Sequence, residues 1–213
     1  MHMKDHLLGS VRMTIVMTAL LGFLYPAVVW GVGRLAFREE AAGSFLRRDD
    51  GAAPAVGVGS AIPASGAPIL GSALIGQLFH SRNLFHGRPS AAGAAGYDAI
   101  ASGGTNLGPT SKKLADSIGA AVAAARLENP AAAGSPVPAD AVTSSASGLD
   151  PHISPAFALW QVPRVARGTG IEAAELARMI AARTEGRTLG VWGEPRVNVL
   201  RLNLDLLARG VAP

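Results

Sequence analysis

The chain contains no cysteine, which excludes disulfides, thiol nucleophiles and Cys-ligated zinc and leaves its redox compartment undecided. It also lacks a Gly-x-Ser-x-Gly elbow, the strained turn that presents a hydrolase serine. Metal ligands are scarce. His80 and His86 are the one closely spaced histidine pair beyond the N-terminal apolar run, and without nearby paired carboxylates they read as surface or hydrogen-bonded residues. Aromatics are only 5% of the 213 residues, so alanine supplies much of the apolar content. A spread basic face is missing as well. Of the net charge of +4, Lys4, Arg12, Arg34 and Arg38 against Asp5 place +3 within residues 1–38, leaving 39–213 close to neutral. Charge that flanks an apolar run is membrane patterning, so no nucleic-acid partner is expected.

What is present begins with that run. Residues 13–33, MTIVMTALLGFLYPAVVWGVG, carry no charge. At about 1.5 Å rise per residue they span about 30 Å, the thickness of the hydrocarbon core. Tyr25 and Trp30 suit an interface. Pro26 predicts a kink, with Thr14, Thr18 or a neighbouring helix available to the freed carbonyl. A cleaved signal peptide would have a shorter apolar core and a small-x-small site, whereas this run ends in Gly33-Arg34-Leu35-Ala36-Phe37-Arg38. We therefore expect a short N-terminal tail (1–12), a transmembrane helix (13–33), a flexible linker (34–68) and a soluble domain (69–213). Arg34, Arg38, Arg47 and Arg48 outnumber Lys4 and Arg12, so charge counting alone places the domain in the cytoplasm.

In the domain, LGSALIGQLF (70–79) reads as a strand, with a helix as the alternative for so short a run. Ser111 to Leu127 reads as a helix with Leu114, Ile118, Ala121, Val122 and Ala125 on one face, ended by Asn129-Pro130. Ser154-Pro155 opens a short helix that Pro163 stops or restarts. Thr169-Gly-Ile-Glu172 is a capping box for a helix to about Arg183, with Leu176, Met179 and Ile180 inward. Thr188–Trp192 and Arg196–Leu202 flank Gly-Glu-Pro as a hairpin, and Asn203 caps a terminal helix. The expected fold is α/β (mixed α+β), a soluble domain behind a single N-terminal transmembrane helix.

The most individually specified stretch is 142–167, VTSSASGLDPHISPAFALWQVPRVAR. Ser147, Asp150 and His152 coexist there, and turn capping through Asp150-Pro151 and Ser154-Pro155 is the preferred reading over a hydrolytic triad. Ser102-Gly-Gly-Thr-Asn-Leu-Gly-Pro109 has phosphate-loop spacing, but Pro109 stands where that loop needs lysine. Ser102-Gly103-Gly104 also echoes the Ser-Gly-Gly core of the ABC signature, a three-residue match. A glycine turn leading into the Ser111 helix is the preferred structural reading, with binding by backbone amides as the alternative.

Five blocks in order carry a family resemblance: GSALIGQ (71–77), FHGRPS (85–90), SGGTNLGP (102–109), the 142–167 stretch, and TEGRT (184–188) followed by GEPRVNV (193–199). With the apolar run they resemble the C subunit of the Kdp potassium-transporting P-type ATPase. The resemblance implies a non-catalytic accessory subunit of an ATP-driven, high-affinity potassium importer. It implies a catalytic chaperone that stabilises the complex and raises the ATP affinity of the P-type ATPase subunit. The implied partners are that catalytic subunit, a potassium-conducting channel-like subunit, a small single-span subunit and the lipid bilayer. ATP enters with the ATPase subunit, and no metal cofactor of the chain's own is implied. The implied location is the bacterial inner membrane, single-pass, with the domain extracytoplasmic, against the charge count. The chain lacks the Asp-Lys-Thr-Gly sequence whose aspartate P-type ATPases phosphorylate.

The candidate contacts, to a subunit first and a nucleotide second, are Ser102, Gly103, Gly104, Asn106, Ser147, Asp150, His152, Gln161 and Arg164. Internal loop stapling is the competing reading for most of them. Gln161 has donor and acceptor capacity for an adenine-like edge, and Ser102 and Gly104 could present donors to phosphate. The alternatives are an anchored domain capping the potassium entrance with no nucleotide role, or an unrecognised anchored hydrolase.

Overall fold

The computed structural model describes residues 3–47, 69–132 and 134–212, which divide into two units, one ending at Ser44 and one beginning at Phe45. The first unit is helical: α1 (Met3–Ala19), a π turn (Leu20–Leu24), α2 (Tyr25–Ala36) and the short α3 (Arg38–Ala41). Residues 6–36 form one helical run long and apolar enough to cross a membrane, so the helix starts well before residue 13. The wide turn answers Pro26. Proline at the start of α2 has no N–H and crowds the preceding turn, and the five-residue π turn just before it opens that turn. Thr14 Oγ1 donates instead to the Ser10 carbonyl at 2.9 Å, and Ser10 Oγ to that of His6, also at 2.9 Å.

The second unit is mixed α and β. β1 (Phe45–Arg47) pairs antiparallel with β2 (Ile69–Ser72), so a strand stands inside the stretch expected to be linker, while 48–68 lie outside the described residues. Regular pairing in the 70–79 block stops at Ser72. α4 (Lys112–Glu128) starts where Ser111 caps it, the Ser111 hydroxyl accepting from Leu114 N. β3 (His152–Ile153), β4 (Thr184–Glu185) and β5 (Arg196–Asn198) form an antiparallel sheet in the order β3-β5-β4.

α5 (Pro155–Thr169), α6 (Ala173–Ala182) and α7 (Val199–Ala208) complete the unit. Ser154 caps α5 as its spacing predicts, accepting from Phe157 N at 3.0 Å. Pro163 neither stops nor restarts the helix. The carbonyl it leaves without an α-helical partner belongs to Leu159, which is 48% exposed, so the missing bond falls on the solvent side. Thr169 builds no capping box. It is the last residue of α5, Gly170 follows with φ of +74°, and Glu172 stands at the start of α6 without a side-chain cap bond. The hairpin also differs from expectation. Its strands are β4 and β5, residues 188–192 form the tip, and 199 onward is helix because Asn198 caps it by accepting from Arg201 N.

Phe157, Ala158, Val162 and Val165 of α5, Leu176, Met179 and Ile180 of α6, and Leu200, Leu202, Leu206 and Leu207 of α7 close over Ile153 and Val197. Each large side chain removed from water stabilises the fold by about 1.5–3 kcal/mol. Phe79, Leu84 and Phe85 join the same core from a segment without helix or strand. That segment needs hydrogen-bond partners, because buried backbone polar groups are costly to leave alone. Side chains supply them. Asn203, fully buried on α7, accepts from Phe85 N and donates to Phe85 O, both at 2.8 Å. It is an internal clamp, not the helix cap expected. Asn198 donates to Ala73 O at 2.8 Å. Asn203→Ala strands the Phe85 amide and carbonyl, so it should cost about 2–3 kcal/mol. In a thermal melt of the full chain in detergent, that is a fall of about 7 °C.

Candidate functional site

The sequence-nominated residues fall into two places. In the interior, Gln161 is 1% exposed on the core face of α5. Its Oε1 accepts from His86 N at 2.8 Å and its Nε2 donates to His86 O at 3.0 Å, repeating on residue 86 what Asn203 does for residue 85. Arg164 lies one turn on. It donates to the carbonyls of Arg82 at 2.7 Å and Leu84 at 3.0 Å and to Gln161 Oε1 at 2.7 Å, and its Nε lies 3.2 Å from Glu128 Oε1. Both residues staple the 82–86 segment. The Gln161 amide oxygen and nitrogen are both engaged inside the domain.

Glu128, at the end of α4, joins this network from the rim of a cavity of about 470 Å³ that also reaches Arg82, Arg88, Tyr97 and Trp160. His86 Nδ1 lies 2.7 Å from Glu128 Oε1, and its Nε2 lies 2.8 Å from Ser81 O. The His86 hydrogen bond holds the Glu128 carboxyl below its usual range, against burial and with help from the charges of His86, Arg164 and Arg82. A depressed carboxylate stabilises above its unfolded value, about 4.5 for glutamate, and that contribution is lost as pH falls through the lower folded value. Melting temperatures of the native chain and Glu128→Gln should therefore differ at pH 7 and converge as the pH falls below 4.5.

The second place is an exposed rim. Gly103 N and Ser102 Oγ both donate to Ser147 O, at 2.9 and 3.1 Å, so the glycine loop is fastened onto the 142–152 stretch. Gly104 packs closely there: a Cβ would stand 3.0 Å from Ala146 O, so a side chain would need that backbone to give by a few tenths of an ångström. Asn106 is exposed with φ of +54°, a left-handed backbone that asparagine tolerates better than most residues. Ser147 Oγ accepts from Leu149 N at 3.1 Å and lies 3.5 Å from Ser145 Oγ, closing the turn. Asp150 Oδ1 accepts from His152 N at 2.9 Å and lies 3.4 Å from His152 Nδ1, while Oδ2 receives Arg88 at 3.4 Å. Burial pushes the Asp150 carboxyl up, but the His152 side-chain and backbone hydrogen bonds and the His152 and Arg88 charges outweigh it and leave it low. Ser145, Ser147, Asp150 and His152 line a groove of about 690 Å³ with Leu74, Ile75 and Arg88. The groove can offer polar contacts along a shelf of exposed leucine and isoleucine.

Arg88, Tyr97 and Glu128 were not nominated from the sequence, although the FHGRPS block pointed to the first. Tyr97 donates to Arg88 O at 2.8 Å, and burial pushes its hydroxyl up to about 12. Of the two nominated phosphate donors, Ser102 and Gly104, Ser102 Oγ is engaged on Ser147 O, beside Gly103 N on the same carbonyl.

Comparison with known proteins bears on what the rim serves. Residues 7–208 match the family of the K+-transporting ATPase c chain, KdpC. The chain is 48% identical over 204 residues to the potassium-transporting ATPase KdpC subunit of Koribacter versatilis, covering 96% of this chain and 95% of that one. It is 50% identical over 199 residues to the subunit of the same name from Myxococcus xanthus, covering 93% and 86%. A third such subunit, from Methylobacterium nodulans, is 45% identical over 215 residues, covering 96% and 97%. The chain belongs to the KdpC family, the c chain of the potassium-transporting ATPase.

Proposed function

We propose that the chain is a non-catalytic subunit that acts by docking, as a catalytic chaperone of the potassium pump. It stabilises the complex and raises the affinity of the P-type ATPase subunit for ATP, which that subunit holds. Its other partners are the channel-like potassium-conducting subunit and the small single-span subunit. The chain sits in the bacterial inner membrane with the domain extracytoplasmic, and coupling to cytoplasmic ATP runs through the helical span by biasing a two-state element of the complex. The observation that carries the docking role is the rim itself. Ser102, Gly103, Gly104 and Asn106 are fastened to, or continuous with, the Ser147–His152 turn, so the surface is largely open yet preorganised, which lowers the entropy cost of association.

Ser102→Glu tests it, because that side chain is exposed. The isolated chain should melt within about 2 °C of the native one, as surface substitutions do. The complex should lose the chain on purification or show a KM for ATP raised on the order of fivefold. Unchanged co-purification together with an unchanged KM would remove the rim from the docking surface. For the orientation, a reporter fused after residue 213 should be active in the periplasm; cytoplasmic activity would reverse it.

A further inference from the structure

The β4–β5 hairpin ends in an apolar tip that none of the roles above uses. Leu189, Val191 and Trp192 are 81%, 67% and 64% exposed within four consecutive residues. Exposed apolar residues scattered singly are ordinary, but three at one protruding turn mark an interaction site. The turn is built to hold them out. Thr188 and Trp192 bond to each other through both backbone pairs, at 2.8 and 3.0 Å, and Gly190 N and Val191 N donate back to Arg187 O and Thr188 O. Leu189 takes a left-handed backbone, φ of +54°, where glycine or asparagine would sit more easily. Behind the tip stand two ion pairs in succession, Arg187 with both Glu194 oxygens at 2.7 and 2.8 Å and Arg196 with Glu185 at 3.1 Å.

We propose that this tip, residues 188–192, is a second membrane contact that inserts into the interfacial region of a lipid bilayer. Three observations select lipid over a protein groove. The turn's backbone N–H groups at 188, 190, 191 and 192 already have partners within the hairpin, the condition for placing backbone in a medium that offers none. Tryptophan beside leucine and valine, with charge-paired arginines behind it, is the composition of an interfacial anchor, in which an amphipathic ring sits at headgroup level. Finally, the chain brings its own bilayer: only residues 37–44 separate the end of the spanning helix at Ala36 from β1.

The absence of cysteine permits a clean test. The full chain carrying Val191→Cys is nitroxide-labelled and placed in nanodiscs of phosphatidylcholine and phosphatidylglycerol, with Ala123→Cys on the exposed side of α4 as reference. The label at 191 should favour oxygen over a polar nickel relaxant, at a depth of about 5–10 Å, while the one at 123 stays aqueous. Adding Leu189→Ser and Trp192→Ser should return position 191 to water. A label at 191 as water-accessible as that at 123 overturns the proposal. So does protection at 191 that arises only when the other pump subunits are present, which would make the occupant a protein.

Discussion

Arg164→Ala should lower the melting temperature of the full chain by about 10 °C or more. The native guanidinium reaches two backbone carbonyls, the Gln161 amide oxygen and the Glu128 carboxylate, and its side chain is 5% exposed. Removing it leaves the Arg82 and Leu84 carbonyls without that donor, at about 1–3 kcal/mol for each that is fully buried, and takes from Gln161 Oε1 one of its two donors, His86 N being the other. Glu128 is 41% exposed and adds little, and the Arg82 carbonyl is only partly buried, so the total is about 3–5 kcal/mol. Each kcal/mol moves a domain of this size by about 2–4 °C. Arg164→Lys should recover only a minor part, because one ammonium cannot reproduce a planar fork that serves four acceptors. Thermal melts of the three proteins at pH 7 check the order: native, then lysine, then alanine.

Gly148→Ala should act on the rim. Gly148 has φ of +67°, and a Cβ there would stand 2.8 Å from Ala92 N, Ala92 Cβ and Gly103 O. The left-handed backbone costs an alanine about 1–2 kcal/mol. The clash adds about 1–3 kcal/mol, since two of the crowded atoms are backbone and have little room to move. The rim can relieve this by opening between Gly103 and Ser147. The expected outcome is a moderate fall in melting temperature with a disproportionate loss of co-purification with the pump. Retention in the complex at native levels, with the melt lowered as expected, would uncouple the rim from docking.

Local features were readable where local chemistry decides them. Ser111 and Ser154 cap their helices, a spanning helix follows from the uncharged run at 13–33 although its ends at 6 and 36 do not, and the inward face of α6 follows from its spacing. Misreadings arose where tertiary contacts decide. Pro163 is tolerated because its missing bond falls on the outer face of α5, a matter of which side is buried. Asn198 took the cap expected of Asn203 because Asn203 is held by Phe85, 118 residues away in sequence. The same distance effect hid Gln161 and Arg164, whose partners lie 75–82 residues upstream. One signal was available. Asn203 stands among Val199, Leu200, Leu206 and Leu207, and Gln161 among Phe157, Ala158 and Val165, all buried and apolar, and polar residues in such places are kept in a core only with partners. The five-block resemblance identified the family, but resemblance did not separate the staples from the rim.

The central claim is that this chain works as an indispensable accessory subunit of the potassium pump. It is tested most directly by deleting the chain and measuring growth at limiting potassium. The account predicts that the deletion strain fails to grow there, grows normally when potassium is plentiful, and is restored by the native chain. Normal growth of the deletion strain at limiting potassium would contradict it.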